Sequence, residues 1–298
     1  MSAKKYADMT ILERIRQRYP TMTGALRAFA DLVLAEPVNV ARMSSHAAAK
    51  TIGVSVATAN RFARAIGFET YPTFRANLIQ SFASAYEPVK RLEREISKAS
   101  TSYEIVVSCL REDIANLEQT IAMFDEMTCR QAVELIIAAN RIFVVGFDNG
   151  AALAQVLANG LLQLKDNVAR VSNGDGGLGV VRHLSRFDAS DLVIAIAFPR
   201  YIKDTISLAA LAKSREIPVL AITDTHHSPL AALAQVSLYA CSERHFASVS
   251  NAAALSLIES LLAAVSHRTP ASVQRAETFT SCALPWIEVG RADAGQKQ

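Results

Sequence analysis

Apolar residues recur every three to four positions through the first 85 residues; beyond about residue 128 they gather into short unbroken runs. The two parts of the chain therefore predict different architectures. In "GALRAFADLVLAEP" (24–37), Leu26, Phe29, Ala30, Val33 and Leu34 share one side of a 3.6-residue repeat, as an amphipathic helix requires. "ILERIRQRYP" predicts a helix that stops at Pro20, and "SSHAAAKTIG" (44–53) a short one capped by Ser44 or Ser45. "YPTFRANLIQSFASAY" (71–86) predicts another, with Pro72 tolerated in its first turn. Residues 87–127 also read as helical, charged over "EPVKRLEREISKAS" and amphipathic over "SYEIVVSCLREDIANLEQTIAMF".

Further on, "RIFVVGF" (141–147), "LVIAIAF" (192–198), "PVLAITD" (218–224) and "VSLYAC" (236–241) predict strands, and "NVARVS" (167–172) a weaker one. Helical patterns fall between and after them, at 150–164, 202–214 and 251–266. Buried apolar strands alternating with helices imply a mostly parallel sheet flanked by helices on both faces. The expected fold class is thus two domains, an all-α module followed by an α/β domain. From Arg268 the chain turns polar and irregular, apart from "CALPWI", and is expected to be loosely docked.

Within the helical module, "VSVATANRFARAIGF" (54–68) stands out. Ser55 is placed to cap a helix from about Val56 to Ile66, and Gly67 suits the position just past its end. Ala59, Phe62 and Ile66 form its inner face; Asn60, Arg61 and Arg64 fall opposite, with Thr58 on the flank. Only Gly53 and Val54 separate this cap from the preceding helix, which makes a helix-turn-helix. In that geometry the second helix presents its N-terminal residues to the DNA major groove. Ser55, Thr58, Asn60, Arg61 and Arg64 are the candidate DNA contacts, with Thr58 and Arg61 nearest the groove.

Charge changes the picture only through its distribution. The 298 residues carry a net charge of +3, but residues 1–85 hold 11 Lys+Arg against 5 Asp+Glu, a net of +6, which leaves the remainder at −3. A basic module on a neutral-to-acidic body fits attraction to a phosphate backbone. The four cysteines, Cys109, Cys129, Cys241 and Cys282, are far apart and form no CxxC pair, so neither a zinc site nor a disulfide framework is expected. There is no apolar leader and no run of about 18 apolar residues, so a cytoplasmic protein without a membrane span is expected. No cofactor is expected.

Ligands of parallel sheets lie beyond the carboxyl ends of the strands, near the switch in strand order. Three loops there carry candidate ligand residues. "GFDNGAALAQ" (146–155) offers Gly146, Asp148, Asn149 and Gly150 at a helix start. "FPRYIKDT" (198–205) offers Arg200 and Lys203, cations at a helix N-terminus, where either solvation or a bound anion offsets the unfavourable dipole. "TDTHHSPLAALA" (223–234) offers Ser228 beside Asp224. His226 and His227 are adjacent and point apart, so they are not expected to bind a metal together. Glu243 and His245 are the only pair that tempts an acid–base reading, and His245 has no obvious carboxylate partner. No catalytic residue is assigned.

These motifs together resemble the RpiR/MurR-type bacterial transcriptional regulators. The N-terminal likeness rests on "RIRQRYP", "FADLVLAEP", "MSSHAAAKTIGVS" and "ATANRFARAIGF"; that of the SIS (sugar isomerase) domain rests on "IFVVGFDNGAALAQ", "DLVIAIAFPRYIKDTI", "PVLAITD" and "SPLAALAQVSL". The resemblance implies a helix-turn-helix DNA-binding domain at 1–86, a helical linker at 87–127, a SIS sugar-phosphate-sensing domain at 128–267 and a polar tail at 268–298. It implies operator DNA and a small anionic sugar derivative as partners, a homodimer or homotetramer, and no membrane. It also implies that 102–127 packs onto the SIS domain. Two departures bear on the ligand. Many SIS domains have serine where Gly150 stands, and a second loop like Ser-x-Ser-Gly-x-Thr where Ala197, Pro199, Arg200 and Ile202 stand here. A phosphosugar or a sugar acid held through Arg200 is the expected effector. The competing functions are a SIS-fold sugar-phosphate isomerase and a non-enzymatic sugar-binding protein.

Overall fold

The computed structural model describes residues 9–98, 100–171 and 176–288. It divides into two compact units, residues 1–94 and 95–298.

The first unit is helical: α1 (Ile11–Arg18), α2 (Gly24–Ala35), α3 (Pro37–Arg42), α4 (Ser45–Thr51), α5 (Val56–Ala65) and α6 (Tyr71–Ile96), the last running two residues past the division. Thr10 and Glu13 close a reciprocal capping box on α1, and Ser44 caps α4 by accepting from the Ala47 amide. The inner side of α5 supplies Ala59, Phe62, Ala63 and Ile66 to a core completed by Phe29, Tyr71, Phe74 and Leu78. Phe62 stacks on Phe29 at 4.8 Å between ring centroids and meets Phe74 edge-on at 5.7 Å. Gly53, at φ 68°, makes the turn from α4 into α5, and Gly67, at φ 92°, ends α5. Both conformations favour a residue without Cβ.

The second unit begins with α7 (Ser102–Ala122) and α8 (Glu126–Ala138). There follow β1 (Ile142–Val145), α9 (Asn149–Leu162), β2 (Val168–Arg170), α10 (Gly176–Leu184), β3 (Leu192–Ile196), α11 (Lys203–Ser214), β4 (Val219–Thr223), β5 (Val236–Tyr239), α12 (Ala252–Arg268) and α13 (Ser272–Ala283). The five strands are all parallel, in the order β2-β1-β3-β4-β5. Alternate residues serve opposite faces: Ile142, Val144, Ile194 and Ile222 join α8, α9 and α12, while Phe143, Val145, Val193 and Ala221 join α10 and α11. β1, β3 and β4 are buried along their whole length, as expected of strands covered on both sides. Residues 272–283, in the stretch expected to be irregular, form α13, and Arg275 holds Asp166 through paired bonds of 2.7 and 3.0 Å.

Helix α7 is bound lengthwise to the loop that follows β5. Asn116, 2% exposed, reads the backbone of Glu243 in both directions, donating to its carbonyl and accepting from its amide. Thr120 Oγ1 accepts from the Cys241 amide. Arg244 donates to the Cys109 carbonyl and to Asp113, which also accepts from Ser250. Burial works to raise the Asp113 carboxyl, but hydrogen bonds from Arg244 and Ser250 and the Arg244 charge outweigh it and hold the group below the usual carboxylate range. His245, expected to lack a carboxylate partner, has one: its Nδ1 lies 2.5 Å from Glu112 Oε1 on α7.

Candidate functional site

Two sites are built by the two units. In the first, α4 and α5 form the expected helix-turn-helix, and the outer side of α5 is left exposed at Ser55, Ala57, Arg61 and Arg64. The candidate contacts are not all on that surface. Ser55 does not make the expected cap bond; its hydroxyl pairs with that of Thr58 at 3.0 Å. Thr58 is only 2% exposed, and its Oγ1 also accepts from Arg61 at 3.0 Å. The Arg61 guanidinium is thereby held over the first turn of α5 while its remaining N–H groups stay available. Arg64 donates to the Glu69 carbonyl. Asn60 is turned inward: its Oδ1 accepts from the Tyr71 amide at 2.9 Å and so caps the start of α6. A helical wheel places Asn60 beside Arg61, but the close approach of α6 claims it for the fold.

In the second unit, the strand order reverses between β1 and β3, and sheets of this kind take their ligands at such a switch, here between the β1–α9 and β3–α11 loops. Each loop carries a residue in the left-handed half of backbone space, Asp148 at φ 54° and Arg200 at φ 76°. Neither is glycine, so both are strained, and strain of this kind gathers at ligand clamps and switches. Gly150 is fixed by packing: a Cβ there would lie 2.8 Å from the Ile196 carbonyl oxygen of the neighbouring strand. A Cβ on Gly146 would lie 2.4 Å from the Gly150 carbonyl oxygen. The serine expected in many SIS domains at position 150 therefore has no room here.

The Gly150 amide, expected to donate to a ligand, is engaged instead with the Phe147 carbonyl. The α11 end is more open. Its preceding residue, Ile202, caps nothing, so first-turn N–H groups face outward beside the exposed Arg200 and Lys203. Ser228, a candidate ligand residue, is 2% exposed; its hydroxyl accepts from the Leu230 amide and lies 2.8 Å from Thr223 Oγ1. It locks the end of β4. The group reaching across is Tyr201, whose hydroxyl donates to both Asp224 oxygens at 2.8 and 3.0 Å. Burial first, then the Asp224 carboxylate, push that phenol well above its usual range, so it remains a donor. Sequence reasoning missed Thr205 in the first turn of α11. It is 1% exposed, and its hydroxyl has no partner among the described residues. Only burial distinguishes this threonine from an ordinary helix-start residue, and burial is invisible in the sequence.

Among the described residues no group of His, Cys, Asp and Glu is placed to hold a metal ion, and no helix is long and apolar enough to cross a membrane. Of the pair that tempted an acid–base reading, the Glu243 backbone is tied to Asn116 and the His245 ring to Glu112.

Residues 9–85 match the helix-turn-helix domain of the rpiR family, and residues 135–266 match the SIS domain. The HTH-type transcriptional regulator HexR of Escherichia coli is 29% identical over 77% of this chain and 77% of its own. Among solved structures, the sugar isomerase domain of an RpiR transcription factor from Sphaerobacter thermophilus is 28% identical, with a TM-score of 0.57, over 60% of this chain and 99% of that one. The Vibrio vulnificus NanR protein, solved in complex with ManNAc-6P, shares the fold at 22% identity and a TM-score of 0.57, over 94% of this chain and 100% of its own.

Proposed function

The chain belongs to the RpiR-type transcriptional regulators, with an rpiR-family helix-turn-helix followed by a SIS domain, and on that premise we propose that α5 reads an operator while the β1/β3 crevice senses a phosphosugar or sugar acid. The observation that carries the sensor reading is the pair of strained, non-glycine residues, Asp148 and Arg200, one in each of the two loops that follow the strands at the switch point. ManNAc-6P held by the same fold in NanR supports the ligand class. The reading is of a regulator and not of an isomerase: enediol chemistry needs a general base at the substrate carbon, and the His245 ring is held by Glu112 of α7. An exposed apolar stripe on α7, formed by Tyr103, Val106, Leu110 and Ile114, supports self-association as a homodimer. Footprinting on genomic fragments at fixed salt tests this reading, repeated with a panel of sugar phosphates and sugar acids. A discrete protected site, altered by one member of the panel, is expected. Equal affinity for every fragment removes the operator reading, and indifference to the whole panel removes the sensor reading.

Two substitutions refine the assignment. Arg61→Ala is expected to cost about 1–3 kcal/mol at the operator if the guanidinium reads a base. A contact to phosphate alone predicts instead a uniform loss across sequences and a shallower salt dependence. An unchanged operator affinity takes Arg61 out of the interface. Thr205→Val removes a buried hydroxyl that has no partner among the described residues. Stability is expected to hold or rise by up to about 1 kcal/mol, while effector affinity falls about tenfold as a donor to the bound anion is lost. A drop in melting temperature with effector affinity intact assigns the hydroxyl to the fold instead.

A further inference from the structure

We infer that the cleft beneath the amino ends of β1 and β2 is a second anion site, taking a small phosphate-bearing molecule. It lies at the edge of the sheet opposite the switch-point crevice, beside Ile142 and Val168, the first residues of their strands. Its volume is about 470 Å³, within the range of small-molecule pockets. Arg182, in the last turn of α10, and Arg186, two residues past its end, line it together with His183 and Asn167. Among the described residues neither guanidinium has a hydrogen bond or an ion pair, nor does the Asn167 amide. Two like charges on one wall of a cleft repel each other unless an anion lies between them.

The usual reason for arginines at a helix C-terminus, pairing with the last carbonyls, does not apply here. Arg215 already donates to the carbonyls of Leu184, Ser185 and Phe187, and Arg141 to that of Arg186. Nearby acids are also spent. Asp166 is held by Arg275 through two bonds, and Asp191, fully buried, by Arg141 through two more. What remains is a wall of net positive charge, Arg141, Arg182 and Arg186 against the single carboxylate of Asp166, over a floor of Ile142, Val168 and Phe187. Planar guanidinium forks match phosphate oxygens bidentately, and a concave cleft with an apolar floor suits a small organic phosphate better than a duplex backbone.

The probe is inorganic pyrophosphate, titrated calorimetrically into the full chain at fixed ionic strength. The variants are Arg182→Ala/Arg186→Ala, Arg200→Ala and, as a control for net charge, Arg111→Ala/Arg268→Ala. Wild type, Arg200→Ala and the control are expected to share one class of site that the Arg182→Ala/Arg186→Ala variant loses by at least about tenfold in affinity. An unchanged melting temperature without probe shows that the variant is folded, both arginines being exposed. The inference is overturned if that double variant binds pyrophosphate as wild type does, if the control loses as much, or if wild-type binding disappears with Arg200 alone. It is overturned equally if the double variant loses operator affinity and not pyrophosphate, because the patch then serves DNA. The Arg200 arm keeps this outcome separate from failure of the effector crevice.

Discussion

Phe62→Ala is expected to destabilise the helix-turn-helix unit by about 3–5 kcal/mol and to abolish operator binding with it. Phe62 has no exposed surface, stacks on Phe29 and meets Phe74 edge-on, so its ring joins α2, α5 and α6. Truncation leaves a void bounded by rigid rings that cannot collapse into it, and aromatic pairing worth about 0.5–1.5 kcal/mol per pair is lost as well. A small helical unit has a stability at the low end of about 5–15 kcal/mol, so the variant is expected to be largely unfolded there at physiological temperature. Urea unfolding followed by near-ultraviolet circular dichroism measures the loss. Arg61→Ala serves as the contrast, because its exposed side chain is expected to alter operator affinity with stability intact. A loss below about 1 kcal/mol for Phe62→Ala contradicts the account of this core.

The inner face of α5 could be read from the sequence because burial and helical period coincide there; the outer face could not be read fully. Asn60 bonds to an amide 11 residues away, a tertiary event with no signature in the local pattern. The strands were legible for a related reason. β1, β3 and β4 are buried on both sides, so each is an unbroken apolar run, whereas β2, at the sheet edge, is half-buried and short. Helix α10 escaped because four glycines within residues 174–179 argue against a helix on propensity. The tie between His245 and Glu112 spans 133 residues, beyond any local pattern. At the switch point, the sequence marked the strand-end loops but not which of their polar groups are already bonded within the fold. Ser228 proved to be a strand-end lock, and Thr205 emerged only from its burial.

Arg200→Ala is expected to abolish the response to effector while leaving effector-free operator binding intact. Arg200 is exposed, makes no side-chain bond among the described residues, and stands before the uncapped N-terminus of α11, so its charge and the helix end address the same anion. Losing charge-assisted hydrogen bonds of about 1.5–3 kcal/mol predicts a fall in effector affinity of about tenfold to a hundredfold. At φ 76° alanine is strained much as arginine is, so Arg200→Gly is the informative companion. It removes the same guanidinium while relaxing the backbone. If the charge holds the effector, both variants fail to respond. If strain alone poises the loop, alanine retains the response and glycine loses it. Regulation also requires that the effector distinguish two states of the protein, and the coupling must be reciprocal, so saturating operator must change effector affinity by the same factor that effector changes operator affinity. In both variants that factor is expected to be unmeasurable at effector concentrations that saturate the wild type. An unchanged effector affinity in both places the sensor elsewhere in the second unit.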